Sequence, residues 1–600
     1  MTFDRTDFFP PHTGDNVLSL SPFFSKLLRY AHRKPQRIAI RDVNLAIEKT
    51  YIEFLSDVLA VRNALRSSLS PEVQTALRAG EEVYIALIAA GGYEYAVGFV
   101  AIYALGAAVV PMSKKLAYKY PPTESPVLIE ISVAILLPVE EAIYFMIKSR
   151  CAAILSSSSG KSLAEQLSAH LRKTTSKEVS CIDIARHFRE CALHPSDIVL
   201  SSDKYLDDNG PGVVIFTSGT TGPPKGAVMR RAFLHDTSAA VADHFGVTEN
   251  DVILHVLPVH HATGIGINFL PYIYSGACVE FRSGSFDVVW LWERWKKGGL
   301  HIFSGVPTIY MRMMRYFEQK IAPLPSHEVD QYIAGARQFR ALLCGTSALP
   351  TPVLEFWTKI LDGKTILSRY GASEIGPAFT PSIDSGPVPP GSVGPVFPGS
   401  TVKLSEGDKG EVLIKGPFMF SKYLFDEVAT AKAHDADGFY KTGDLARREG
   451  SNYFILGRAS IDIIKSGGYK ISALDIEREI LGLPYVSEVM VVGVEDDEFG
   501  QRVAAVVSLR DDQTTYKCSG NGWMGKNFTL DNLRTDLRRK LAGYKIPTLL
   551  RMVGGEIPKT GTGKVVKRVL GPKFFSVDYH KDPGVQVWSS VKQTKSHSKL

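Results

Sequence analysis

Short runs of apolar, often β-branched residues recur along much of the chain, and each is followed by a stretch with helical spacing. VVIF (213–216), VILHVLP (252–258), CVEF (278–281), HIFSGVP (301–307), ALLCG (341–345) and TILSRYG (365–371) are the clearest. Continuous apolar strands alternating with helices are the pattern of parallel sheets covered on both faces, so the expected class is α/β. The apolar stretch 84–112 carries Glu94, several glycines and Pro111. It predicts strand, helix, strand rather than a membrane span. After Pro387 the texture changes to GPVPPGSVGPVFPGS and then to short strands such as EVLIKG (411–416), which predicts a small β-barrel-like subdomain. Near Gly457 it changes again: ALDIEREILGLPYVSEVMVVGVEDDEFGQRVAAVVSLR reads helix, strand, turn, strand, the mark of a small α+β domain. The organisation expected is a large N-terminal region of two α/β subdomains plus the β part (1–456), a mobile C-terminal domain (457–575) and a tail (576–600). Residues 115–137 interrupt what is otherwise a direct strand-to-helix connection. They are either an elaborated loop or a translated intron.

Composition narrows the class without deciding it. With 45% hydrophobic and 22% charged residues the chain is ordinary globular protein. A formal charge of +7 over 600 residues, with no dense basic stripe, does not point to nucleic acid, though it suits an anionic small molecule. The six cysteines form no C-x-x-C pair, so neither a zinc site nor a disulfide framework is expected, and a reducing compartment fits best. The opening residues MTFDRTDFFP lack the apolar core of a secretory signal. The chain ends Ser598-Lys599-Leu600, which reads as a peroxisomal address with the import receptor as partner, because the preceding polar stretch 579–598 looks free to enter a receptor.

The densest chemical signal directly follows the strand VVIF. Thr217-Ser218-Gly219-Thr220-Thr221-Gly222-Pro223-Pro224-Lys225-Gly226 combines glycines, hydroxyls and a lysine. Glycines let backbone approach an anion, and successive N–H groups form a nest for phosphate oxygens. The Walker A spacing is absent. This run resembles the phosphate loop of the adenylate-forming superfamily, which includes acyl-CoA synthetases, firefly luciferases and peptide-synthetase adenylation domains. Four further runs resemble that family's motifs in its order. They are Tyr370-Gly371-Ala372-Ser373-Glu374, Tyr440-Lys441-Thr442-Gly443-Asp444, Gly457-Arg458, and Pro558-Lys559-Thr560-Gly561-Thr562-Gly563-Lys564. The likeness covers roughly residues 20–575.

The resemblance implies ATP, Mg²⁺ and CoA as co-substrates and cofactor. It implies that Tyr370 stacks on adenine, Glu374 holds Mg²⁺, Asp444 and Arg458 reach the ribose, and Lys564 catalyses adenylation together with Thr217 and Glu374. Gly345 and the loop residues would help bind nucleotide. In the family the C-terminal domain rotates at a hinge between the two half-reactions, and Asp462, with Ser460 as the alternative, is the pivot expected here. Gly467 and Gly468 would let the pantetheine arm pass. The nearest likeness is to malonyl-CoA synthetases, in which the positions of Arg312 and Arg369 read a distal carboxylate, a role suited to guanidinium. His261 and Ala372 would line the acid pocket. The usual H-V-H-G is His261-Ala262-Thr263-Gly264 here, and Met-Thr of the Y-G-M-T-E form is Ala372-Ser373, which enlarges the pocket. The expected reaction is acid–CoA ligation through an acyl-adenylate. A fatty-acid or specialised-metabolite ligase, a luciferase-like monooxygenase and a carrier-loading adenylation enzyme remain as alternatives. A carboxylate attacking a phosphate brings two anions together, so positive groups must offset charge that grows in the transition state.

Overall fold

In the computed structural model, which describes residues 14–112, 138–175, 178–201, 206–217, 223–345, 349–386, 388–510, 528–559 and 565–588, the apolar runs become two seven-stranded sheets. The first runs in the order Lys422–Tyr423, Lys225–Arg230, Pro211–Thr217, Ala108–Met112, Tyr84–Ile88, Ala153–Ser156, Ser180–Asp183. Its strands are parallel from Pro211–Thr217 onward, and Lys225–Arg230 folds back antiparallel. The second runs Leu367–Ser368, Ala341–Cys344, Ile302–Gly305, Val252–His255, Cys278–Phe281, Ile38–Asp42, Ile47–Thr50, with all but the last pairing parallel. VVIF and CVEF lie wholly on strands at the expected places, ALLCG pairs through Ala341–Cys344 and HIFSGVP through Ile302–Gly305. Of VILHVLP only Val252–His255 pairs, and TILSRYG is split between Leu367–Ser368 and Tyr370–Ala372.

Residues 84–112 form the expected strand, helix, strand. The helix Tyr93–Leu105 is buried along its whole length. A Cβ on Gly98 would come within 2.8 Å of both Leu87 and Ile184, so glycine sets how near this helix lies to its neighbours. Gly106, at φ +93°, ends it in the left-handed conformation that favours glycine. The helix Tyr51–Ser68 starts at a reciprocal cap, in which Thr50 accepts from the Glu53 N–H and Glu53 accepts from the Thr50 N–H. Such a cap contributes about 1 kcal/mol. Among the described residues no helix is long and apolar enough to cross a membrane.

The Gly/Pro-rich stretch leads into a four-stranded antiparallel sheet, Thr401–Glu406, Lys409–Lys415, Tyr440–Glu449, Asn452–Arg458. The C-terminal part is a separate mixed sheet built on the long hairpin of Val486–Asp496 and Gly500–Leu509, with helix Ala473–Leu481 packed on it through Ile476 and Ile480. The α/β class and the smaller α+β C-terminal part are therefore as expected. One expectation is corrected. The chain does not leave this sheet at 575: Val585–Val587 pairs antiparallel with Leu549–Val553, Tyr579 is buried, and Arg534 lies 4.0 Å from the Trp588 ring centroid. The polar look of this stretch hid three well-spaced anchors, Tyr579, Val585 and Trp588. The interrupting run 115–137 and Cys518 lie outside the described residues.

Candidate active site

Thr217 and Lys225 are register partners at the end of a hairpin, so the glycine- and hydroxyl-rich run is the loop that joins them. Its Ser218, Gly219, Thr220, Thr221 and Gly222 lie outside the described residues, as does Lys564. What the hairpin positions is visible at its base. Thr217 Oγ1 donates to Glu374 Oε1 at 3.1 Å, and Tyr423 OH donates to the same oxygen at 3.1 Å. Tyr423 and Tyr440 hydroxyls lie 3.0 Å apart. Burial, and then the Glu374 charge, push the Tyr423 hydroxyl well above its ordinary value, so it stays a neutral donor. Lys225 Nζ stands 4.9 Å from the Tyr423 ring centroid. Glu374 itself sits in the turn of a small hairpin, Tyr370–Ala372 with Gly376–Phe379. A Cβ on Gly371 would fall 2.4 Å from the Gly376 carbonyl oxygen, so glycine is what lets this turn close.

The second group centres on Asp444. Tyr370 OH donates to Asp444 Oδ2 at 2.7 Å and Arg458 Nε to Oδ1 at 2.8 Å. Thr442 Oγ1 accepts from the Asp444 N–H and donates to the Val412 carbonyl, which fixes the irregular stretch of the strand Tyr440–Glu449 that carries the acid. Burial disfavours the Arg458 charge, but Asp444 more than offsets it and the guanidinium is held above its ordinary value. The Tyr370 ring stacks on Phe379 at 5.6 Å.

The third group lies at the C-terminal edge of the second sheet. Arg369 N–H donates to the Cys344 carbonyl at 2.9 Å, and its Nε and Nη2 are buried with no hydrogen-bond partner among the described residues. Burial lowers its affinity for a proton. A Cβ on Gly345 would come within 2.9 Å of its Cζ, so this glycine makes the space in which the guanidinium lies. Arg312 is elsewhere. Its side chain is 42% exposed, pairs with Glu556 of the C-terminal part and lies 5.7 Å from the Phe286 ring centroid. The two arginines expected to act together are thus differently engaged. His261 precedes the short helix Ala262–Gly266, its ring 5.5 Å from that of His260. Ala372 is at the edge of the Glu374 hairpin. His255, missed by the sequence reading, is fully buried and shares a 3.0 Å hydrogen bond with the Gly264 carbonyl. Burial pushes it down to about 4.

At the expected pivot, the Asp462 carboxylate accepts from the Arg458 N–H at 3.0 Å through Oδ2 and from Lys567 Nζ at 2.6 Å through Oδ1. Lys567 also pairs with Glu477 at 2.9 Å. Burial alone would lower Lys567, but Glu477 and Asp462 outweigh it and hold the ammonium above its ordinary value. Gly467 and Gly468, at φ +54° and +81°, are the two-residue turn between Ile463–Ser466 and Tyr469–Ser472. Two positive φ angles in succession are what such a hairpin turn requires. Tyr423, Glu477 and Lys567 carry no motif signal. Lys567 stands three residues past the late lysine, and only folding shows its partners.

A family model described as AMP-binding enzyme matches residues 27–424, and one described as AMP-binding enzyme C-terminal domain matches residues 475–564. The malonate–CoA ligase ACSF3, mitochondrial, of Xenopus laevis is 37% identical over 419 residues, 64% of this chain and 69% of that protein. The acyl-CoA ligase oryP of Aspergillus oryzae is 30% identical over 580 residues, 95% of this chain and 96% of that protein. The crystal structure of ATP-bound MatB from Rhodopseudomonas palustris shares the fold at TM-score 0.71 and 22% identity, covering 92% of this chain and 99% of that one. One expectation falls here. The peroxisomal reading of Ser598-Lys599-Leu600, and the import receptor with it, is corrected, because the Xenopus relative is designated mitochondrial. The tripeptide lies outside the described residues, and a receptor-read address makes no packing of its own that could support the reading.

Proposed function

This chain belongs to the AMP-binding enzyme family and is an adenylate-forming acyl-CoA ligase, and from that premise we propose that its acid is a short dicarboxylate of the malonate class, read by Arg369. The observation that carries this reading is the buried Arg369 guanidinium whose Nε and Nη2 have no partner among the described residues. A buried cation with open donors is costly unless an anion meets it. The distal carboxylate of a dicarboxylic acid supplies that anion and matches the planar fork of donors. Arg312, paired with Glu556, instead joins the helix Pro307–Tyr316 to the C-terminal part.

ATP and CoA are the co-substrates of such ligases. We assign the ribose hydroxyls to Asp444 and Arg458, the adenine face to Tyr370, and the phosphates to Thr217 through Gly222 with Lys225. Mg²⁺ takes one carboxylate and completes its shell with substrate phosphates and water. Glu374, one oxygen of which is fixed by the Thr217 and Tyr423 hydroxyls, is the carboxylate for it. When bound, Mg²⁺ supplies charge neutralisation to the phosphate oxygens. Lys564 offsets the negative charge that grows as the acid's carboxylate attacks the α-phosphate and pyrophosphate leaves. The acyl group then passes to the CoA thiol, with Gly467 and Gly468 leaving room for the pantetheine arm and Asp462 as the pivot between the part ending near 456 and the part beginning at 457.

The test is AMP release with CoA over malonate, methylmalonate, longer dicarboxylates, fatty acids and aryl acids. Malonate or methylmalonate is expected to give the highest kcat/KM. A monocarboxylate preferred over every dicarboxylate would overturn the substrate reading.

A further inference from the structure

Asp462 is the one hinge residue whose two carboxylate oxygens face in different directions along the chain. Oδ2 reaches back to the Arg458 N–H at 3.0 Å, and the Arg458 side chain is itself tied to Asp444 at 2.8 Å. Oδ1 reaches forward to Lys567, the first residue of the helix Lys567–Phe574 that follows the late lysine motif. The ammonium is fixed from its other side by Glu477 on the helix Ala473–Leu481, and Glu477 in turn accepts from the Val491 N–H at 2.7 Å. The three side chains are only 10%, 15% and 15% exposed for Lys567, Asp462 and Glu477. A Cβ on Gly457 would meet the Asp462 Cβ at 2.6 Å, so the backbone before the pivot is folded tightly over this carboxylate.

We propose that Lys567 is a positioning residue that latches the pivot: with Glu477 behind it, it holds the Asp462 carboxylate in the orientation that also accepts the Arg458 N–H, and any rotation at 462 must give up one of these two contacts. The proposal rests on Asp462 being the pivot. Buried ionic contacts of this kind are all-or-none, because a half-broken pair leaves a desolvated charge. The chain therefore has discrete resting positions about 462 rather than a continuum, and the latch sets how the enzyme divides its time between them. Because Lys567 stands three residues after Lys564, the same contact ties the pivot to the segment that carries that lysine.

The half-reactions are measured separately in Lys567→Met, Asp462→Asn and the double variant. ATP–pyrophosphate exchange reports the first, and single-turnover transfer from preformed acyl-adenylate to CoA reports the second. Each single change is expected to alter the ratio of the two rates by about tenfold, and the double variant by no more than the larger single, since the pair acts as one unit. Proportional loss in both half-reactions, or additive shifts in the double variant, would overturn the latch. Hydrogen exchange at the Arg458 amide, measured in the full-length protein without any acid, is expected to quicken in both single variants, and unchanged exchange rejects the proposal. Should Lys567→Met fail to fold, Asp462→Asn read at this amide decides alone. Wild-type enzyme that releases no AMP with any acid sinks the functional reading, while the amide exchange still decides the latch.

Discussion

The edges of the two seven-stranded sheets carry different chemistry on similar scaffolds. The first ends at Thr217, beside a carboxylate, Glu374, one oxygen of which accepts from the Thr217 and Tyr423 hydroxyls, with Lys225 over the Tyr423 ring. The second ends at the Arg369 guanidinium, whose Nε and Nη2 are buried without a partner among the described residues, together with an imidazole, His255, held neutral by burial. A satisfied acid beside the run assigned above to the phosphates suits a cation and a polyphosphate. An unsatisfied buried base calls for an anion from the substrate. The sheet supplies only the platform, and in the assignment proposed above the charged group at each edge, acid or guanidinium, sets which part of the substrates is met there.

The largest expected effect belongs to Lys564, the lysine assigned above to adenylation. Lys564→Ala is expected to slow ATP–pyrophosphate exchange by about 100- to 1,000-fold, as removal of one preorganised charge-stabilising group does. An undiminished rate would remove that lysine from adenylation. At the second edge, Arg369→Met is expected to cut kcat/KM for a dicarboxylate by about 100-fold relative to a monocarboxylate of equal length, a size typical of lost recognition of a polar group. Arg312→Met is expected to change both acids alike. Equal loss for the two acids in Arg369→Met would break the contrast between the edges.

His255 gives the second edge a pH signature. Its value in the folded chain, about 4, lies below the ordinary 6.5, so the unfolded chain takes up a proton that the folded one refuses. The associated stability is full above about pH 6.5 and is lost as pH falls towards 4, on the order of 3 kcal/mol in all. Urea midpoints measured across that window should fall in the wild type and fall less in His255→Gln. The smallest expected effect returns to the first edge. Tyr423→Phe deletes one of two hydroxyls on Glu374, a contribution of about 1 kcal/mol, so the KM for ATP should rise about fivefold with the fold intact. No change in ATP dependence would mean that Tyr423 does not help position Glu374.

Much of this was legible along the chain because it depends on neighbours in sequence. Apolar period marked CVEF and ALLCG as strands, and each became one. The glycine-rich run after VVIF stood out because glycine and hydroxyl content is a local property, and its ends Thr217 and Lys225 are register partners. Gly467-Gly468 carried the requirement for two positive φ angles in the letters themselves. The tail was misread for the complementary reason. Its anchors Tyr579, Val585 and Trp588 contact a strand and a helix far away in sequence, and no local pattern announces that.

The α/β class, the order of the motifs and the residue types of the proposed nucleotide site could be read along the chain, since periodicity and motif spacing are properties of adjacent residues. Only the fold showed which of two expected arginines has buried donors without a partner among the described residues and which is spent on Glu556. It alone brought Lys567 to Asp462 and Glu477 across gaps of more than a hundred and about ninety positions. The physical reason is the same in both cases. Whether a charge is paired, and at what cost, depends on its surroundings in space, and those are fixed by packing between elements that the sequence places far apart.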